Sequence, residues 1–203
     1  DPVKQYQWSI SDGKPVSNAT AGCVAAIFEI NGGAKPNKYK DDVIAFNSNG
    51  LNNECAVGTG LNGICLSAPF TPKPMTKAEC EQAVAEGKLG IKGCYYAQDY
   101  WAGAVKQCGG VSKMPTMAQL GELASQLYVG NPTIGAKQDK DNIQFDSNSS
   151  TAKSLGLTPY FFLWSGEENS SYNAYRRSFG TTGSNWSSSI RSTSNYQAVC
   201  LGE

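Results

Sequence analysis

The 203-residue chain contains no histidine. That absence removes the side chain used most often as a general base near neutral pH and most often found on transition metals. Ordinary hydrolytic catalysis is disfavoured from the outset. The chain also lacks a charge excess, since 17 basic and 17 acidic side chains give a net charge of +0. A balanced chain carries no electrostatic footprint for nucleic acid or for an anionic membrane surface. No Cys-x-x-Cys pair occurs, so with histidine missing no zinc-ligand spacing is left. No apolar run reaches the roughly 18 residues of a membrane span, and no signal peptide opens the sequence. The chain starts Asp1-Pro2 without methionine, and the expectation is a trimmed or mature piece whose export segment is missing.

What is present is cysteine, seven of them spread singly through a chain rich in Gly, Ser and Asn. The pattern fits disulfides made in an oxidising compartment. Cys108 closes a predicted amphipathic helix, and Cys200 lies in the apolar strand pattern Gln197-Ala198-Val199-Cys200-Leu201. If these two bond, the loop of about 90 residues removes roughly 4–5 kcal/mol of unfolded-chain entropy in the chain-entropy model. A Cys80–Cys94 bridge is expected from proximity in sequence, and Cys55 and Cys65 bracket a glycine-rich loop that a local disulfide could close. That assignment leaves Cys23 as the odd thiol.

Periodicity and turn chemistry set out the elements. Residues 23–30 and 42–46 read as strands flanking Asn31-Gly32-Gly33 and a lysine-rich connection. Asp41 and Asp42 could offer hard oxygen ligands to calcium, but two acids read better as a solvated turn. The segment Ser67–Pro74 holds three prolines and is expected to be an extended, semi-rigid linker at a domain boundary. Thr76 and Glu79 form a capping box for a helix with Cys80, Ala83 and Val84 on one face, ended by Gly87 or Gly90. Asp99 is placed to cap a second helix whose Trp101, Ala104, Val105 and Cys108 share a face. Gly109-Gly110 stops that helix, and Thr116 with Gln119 caps a third, striped by Leu120, Leu123 and Leu127.

Two family resemblances rest on these residues. Strand, Asn-Gly turn, Pro36-Asn37-Lys38, then aspartate and an apolar strand over residues 20–50 resembles the C-terminal region of type IV pilins and pseudopilins. In those families an N-terminal membrane helix carries a globular β-sheet head. Tyr100-Trp101-Ala102-Gly103-Ala104-Val105 leading to Cys108, then Gly-Gly and Met114-Pro115-Thr116-Met117-Ala118-Gln119-Leu120, resembles the first two helices of the C-type-lectin-like fold. The match is to its bacterial form with a Leu-Pro-Thr-x-x-Glu-Leu motif. Tyr160-Phe161-Phe162-Leu163-Trp164-Ser165-Gly166-Glu167 is similar to that family's central strand, and Tyr196 to Leu201 to the final strand. This resemblance spans residues 95–203 and implies that the final strand bonds back to the first helix. The implied architecture is α+β: a pilin-like antiparallel β head in residues 1–75, then a C-type-lectin-like domain in residues 76–203 with two helices packed on short antiparallel sheets.

The stretch from Glu167 to Asn195 reads as polar, short-stranded and turn-rich, a face on which ligands are met because loops on a rigid scaffold can vary. Its candidate ligand-binding residues are Glu167, Glu168, Asn169, Ser171, Tyr172, Asn173, Tyr175, Arg176, Ser184, Asn185, Trp186, Ser188, Arg191, Thr193, Asn195 and Tyr196. Large rigid aromatics and arginine among small polar groups is the vocabulary of binding paratopes. The stretch also resembles the variable region of lectin-fold proteins diversified by retroelements. The family's calcium-dependent sugar sites need a Glu-Pro-Asn or Gln-Pro-Asp triplet and a Trp-Asn-Asp run, and this chain has neither. No metal and no cofactor are therefore expected. The formylglycine-generating relatives use a cysteine pair for which only Cys200 is at hand late in this chain, and serines without histidine make no triad. The expectation is a non-catalytic, surface-displayed adhesin-like subunit of a bacterial pilus, extracellular or on the cell surface. Its partners would be a protein or glycan ligand on another cell or phage surface and other pilin subunits. It would touch nucleic acid not at all, and membrane only through a missing N-terminal helix. The alternative is a structural pilus or pseudopilus subunit without a dedicated ligand.

Overall fold

The computed structural model describes residues 66–202. The expected strands at 23–30 and 42–46, the Asp41–Asp42 pair, Cys23, the Cys55–Cys65 loop and the pilin-like stretch lie outside the described residues. Two compact units share what is described: one comprises Phe70–Ser149 and Thr158–Val199, and the other includes residues 66–69, 150–157 and 200–202. The described residues are mixed α and β, with four α-helices and two small antiparallel sheets.

In the larger unit the helix starts and stops follow from local chemistry. Strand β1 (Met75–Thr76) leads into α1 (Lys77–Glu86), where Thr76 and Glu79 form the expected capping box and Gly87 ends the helix at φ 70. Cys80 and Ala83 are its buried side chains, and Cys80 bonds Cys94 as expected. Strand β2 (Gln98–Asp99) pairs with β1 and hands over to α2 (Tyr100–Cys108). There Asp99 accepts the Ala102 N–H, and Gly109 terminates the helix at φ 97, a left-handed conformation that costs glycine little. Trp101, Ala104, Val105 and Cys108 are all buried, and Cys108 is disulfide-bonded. The link to α3 (Met117–Leu127) is longer than a tight Gly-Gly connection, because a 3-10 turn at Val111–Lys113 intervenes. Thr116 and Gln119 cap α3 reciprocally, and Leu120, Leu123 and Leu127 are buried in its stripe.

The proline-bearing segment is extended but packed, not a spanning linker. Phe70 exchanges backbone hydrogen bonds with Ala198, and Gln107 Oε1 accepts the Lys73 N–H. Gly103 of α2 lies so close to this segment that an added Cβ would run into the Lys73 carbonyl oxygen. Backbone cannot yield as a side chain does. Gly103→Ala is accordingly expected to lower stability by about 1–3 kcal/mol or more by overpacking, read as a reduced urea midpoint. An unchanged midpoint would show that the two segments are not in contact.

The four-stranded sheet has the order β3-β6-β5-β4, every neighbour antiparallel: β3 (Lys140–Asp141), β4 (Phe161–Glu168), β5 (Asn173–Phe179) and β6 (Gly183–Ile190). This corrects the reading of residues 167–195 as short-stranded and turn-rich, since β5 and β6 pair in unbroken register from Asn173↔Ile190 to Phe179↔Ser184. Helices α2 and α3 both pack against the sheet. Trp101 donates its indole N–H to the Ser165 carbonyl at 2.7 Å, and Phe161 stacks on Phe179. The expected final strand is not a regular one. Gln197 bridges Leu163 in parallel sense while Ala198 bridges Phe70, so successive residues serve different partners.

In the smaller unit, Leu66 bridges Leu201 antiparallel, and the Ser67 hydroxyl accepts the Cys200 N–H at 2.8 Å. Cys200 is buried and disulfide-bonded. Helix α4 (Ser150–Leu155) buries Thr151, Ala152 and Leu155.

Candidate functional site

The most accessible aromatic cluster joins one predicted residue to two that sequence reasoning missed. Tyr172 is 50% exposed, and its ring centroid lies 4.5 Å from that of Tyr95, itself 52% exposed. Tyr95 meets Tyr96 edge-on at 5.0 Å. Burial raises the Tyr96 phenol above its ordinary value, with Tyr95 and Asp99 pushing the same way. Adjacency to Cys94 is the one signal in the sequence that marks Tyr95 as a fixed residue.

The segment bearing these tyrosines is pinned from beneath. The Cys80–Cys94 disulfide anchors its start, and the Glu168 carboxylate accepts the Lys92 and Gly93 N–H groups at 2.8 and 3.0 Å. Arg191 donates to the Gly93 carbonyl at 2.8 Å, pairs with Asp99 at 2.8 Å and Glu168 at 2.9 Å, and lies over the Trp101 ring. Its side chain is fully buried. Burial pushes the Asp99 carboxyl above its ordinary value, while the Ala102 N–H and Arg191 act in the opposite direction. Arg191 and Glu168, expected as ligand contacts, are thus positioning groups, and Arg191 has no surface to offer a ligand. Glu167 is likewise engaged in structure, accepting the Met117 N–H at 2.8 Å at the positive end of α3.

The remaining predicted residues are divided by the pleat of the sheet. Cross-strand partners share a face and neighbours along a strand do not. The register therefore puts Asn173, Tyr175, Ser184, Trp186 and Ser188 on one face, and Arg176 and Asn185 on the other. On the first face Tyr175 and Trp186 are 6.2 Å apart, and the Lys137 ammonium lies 4.1 Å above the Tyr175 ring. Asn169 accepts the Tyr175 hydroxyl, while Ser184 is fully buried, donating to the Ser178 carbonyl. Arg177 is buried on this face, and among the described residues no carboxylate pairs with it. Its guanidinium donates to the Ser184 hydroxyl and to the carbonyls of Gly135, Ala136 and Gln138. Burial lowers its pKa, with Asp139 opposing.

On the second face Tyr196 stacks on Phe162 at 4.5 Å and touches Trp164, with Arg176 over the Phe162 ring at 5.1 Å. Ser171 sits against Gly93, Thr193 donates its hydroxyl to the Ile190 carbonyl, and Asn195 is exposed. The predicted residues thus form a tyrosine cluster and two sheet faces, not one continuous patch.

Among the described residues no group of His, Cys, Asp and Glu is arranged to hold a metal ion, and no helix is long and apolar enough to cross a membrane. The disulfides fit an oxidising, extracellular type of environment. No family model, curated protein or solved structure matches the chain.

Proposed function

We propose that the chain is a non-catalytic binding module, displayed on the cell surface as an adhesin-like subunit of pilin type with a C-type-lectin-like domain. The observation that carries the reading is the Tyr95–Tyr96–Tyr172 cluster, exposed yet held by a disulfide, two amide-to-carboxylate bonds and a buried arginine. Tyrosine supplies large contact area with few rotatable bonds, and a fixed backbone lowers the ordering cost of association.

The test is a screen of the full chain against glycans and intact cell surfaces, followed by Tyr95→Ala and Tyr172→Ala. Each variant is expected to weaken capture of the recovered ligand at least about tenfold, as truncation of an interface hot spot does, with melting nearly unchanged. Silence in the screen, together with filament defects when the gene is deleted, would replace the binding role with the structural one. Undiminished capture by both variants would remove the tyrosine cluster from the site.

A further inference from the structure

The second sheet face carries an unneutralised cation and a buried donor that the tyrosine cluster does not use. Between Asn169 and Ile190 the sequence has two arginines and no acid. Arg177 is engaged within the fold as described above; Arg176, half-exposed, is not paired with any carboxylate among the described residues. Its Nε donates to Ser189 Oγ at 3.1 Å and its Nη1 to the Asn185 carbonyl at 3.4 Å, which fixes the guanidinium plane. The nearby Asp141 carboxylate is approached by Asn185 Nδ2 at 3.5 Å. Ser189 Oγ in turn lies 3.1 Å from the Tyr196 hydroxyl.

Trp164 stands opposite Arg176 in the register and is fully buried, and its indole N–H has no hydrogen-bond partner among the described residues. Buried donors are rarely left unmade, because each costs about 1–3 kcal/mol. Its ring is 4.9 Å from that of Tyr196, beside the hydroxyl chain that leads to Arg176. Ser178, Ser187 and Ser189 occupy the same face by register. None of the exposed large apolar side chains, Tyr95, Val129, Tyr160, Tyr172 and Ile190, occupies a register position of this face.

We propose that this face binds a carboxylate-bearing saccharide residue, with Arg176 as the carboxylate contact and the serine and tyrosine hydroxyls facing the polyol. A planar guanidinium already oriented by Ser189 meets a carboxylate with two parallel N–H donors, and such charge-assisted bonds are roughly twice as strong as neutral ones. The hydroxyls of Ser178, Ser187, Ser189 and Tyr196, set beside the Phe162 ring, suit a sugar, whose polyol hydrogen-bonds while a ring face stacks on an aromatic. The inference rests on the binding role proposed above and adds a second site to it, at a surface separate from Tyr95 and Tyr172.

The experiment titrates the full chain, labelled with nitrogen-15, with three probes: methyl β-D-glucuronide, methyl β-D-glucoside and an acetylated, amidated glutamyl peptide. The glucuronide is expected to bind at least about tenfold more tightly than either other probe and to shift the Trp164 indole resonance. Arg176→Gln is expected to lose that preference while keeping its melting temperature; Arg176→Lys, which retains the charge without the fork, is expected to recover only part of it. Equal binding of the glucoside, tighter binding of the peptide, or no response to any probe would each overturn the proposal. Loss here with Tyr95- and Tyr172-dependent capture intact would sink this site alone.

Discussion

Arg191→Met is expected to destabilise the protein by about 3–5 kcal/mol, the cost of breaking a buried ion pair by removing one partner. The change leaves Asp99 and Glu168 facing each other with the cation between them gone. It also removes the donor to the Gly93 carbonyl, so the tyrosine-bearing segment loses a tie at the same time. Denaturant titration reads the loss as a shifted midpoint, and amide exchange at residues 92–97 reads the loosening. A ligand-contacting arginine would behave in the opposite way, with binding lost and the midpoint unmoved. That result would return Arg191 to the binding surface.

Removal of the Cys80–Cys94 bridge has the second large expected effect. The bonded cysteines are 14 residues apart, and closing a loop of about that length is worth roughly 3 kcal/mol in the chain-entropy model. The Cys80→Ala, Cys94→Ala double variant is therefore expected to lose about that much stability. Binding through Tyr95 should fall more than binding through the sheet, because Cys94 immediately precedes Tyr95. Retention of both stability and binding would mean that Glu168 and Arg191 hold the segment unaided.

Helix boundaries were legible because they depend on neighbours in sequence. Thr76, Asp99 and Thr116 each bond an amide three residues on, and Gly87 and Gly109 meet a local demand for positive φ. The Cys80–Cys94 pair was legible for the same reason. Strands β5 and β6 were not, since the period-2 signal needs apolar residues at inward positions. Here two of those positions are Arg177 and Ser184, both fully buried. A buried arginine looks like a surface arginine until its acceptors are known, and those of Arg177 lie at Gly135, Ala136 and Gln138. Arg191 misled in the same way, its partner Asp99 being 92 residues distant. Tyr95 and Tyr96 were missed because their significance depends on Tyr172, brought close by the fold.

Phe179 also bears on how the sheet avoids misassembly. A slip of β5 by one residue can carry Arg176 toward the three carbonyls that Arg177 now reaches, so the adjacent arginines do little to penalise it, but it turns Phe179 off the face where that ring is buried and stacked on Phe161. A serine- and asparagine-rich hairpin would otherwise have little to distinguish one alignment from the next. A single buried ring thus carries the cost of misalignment.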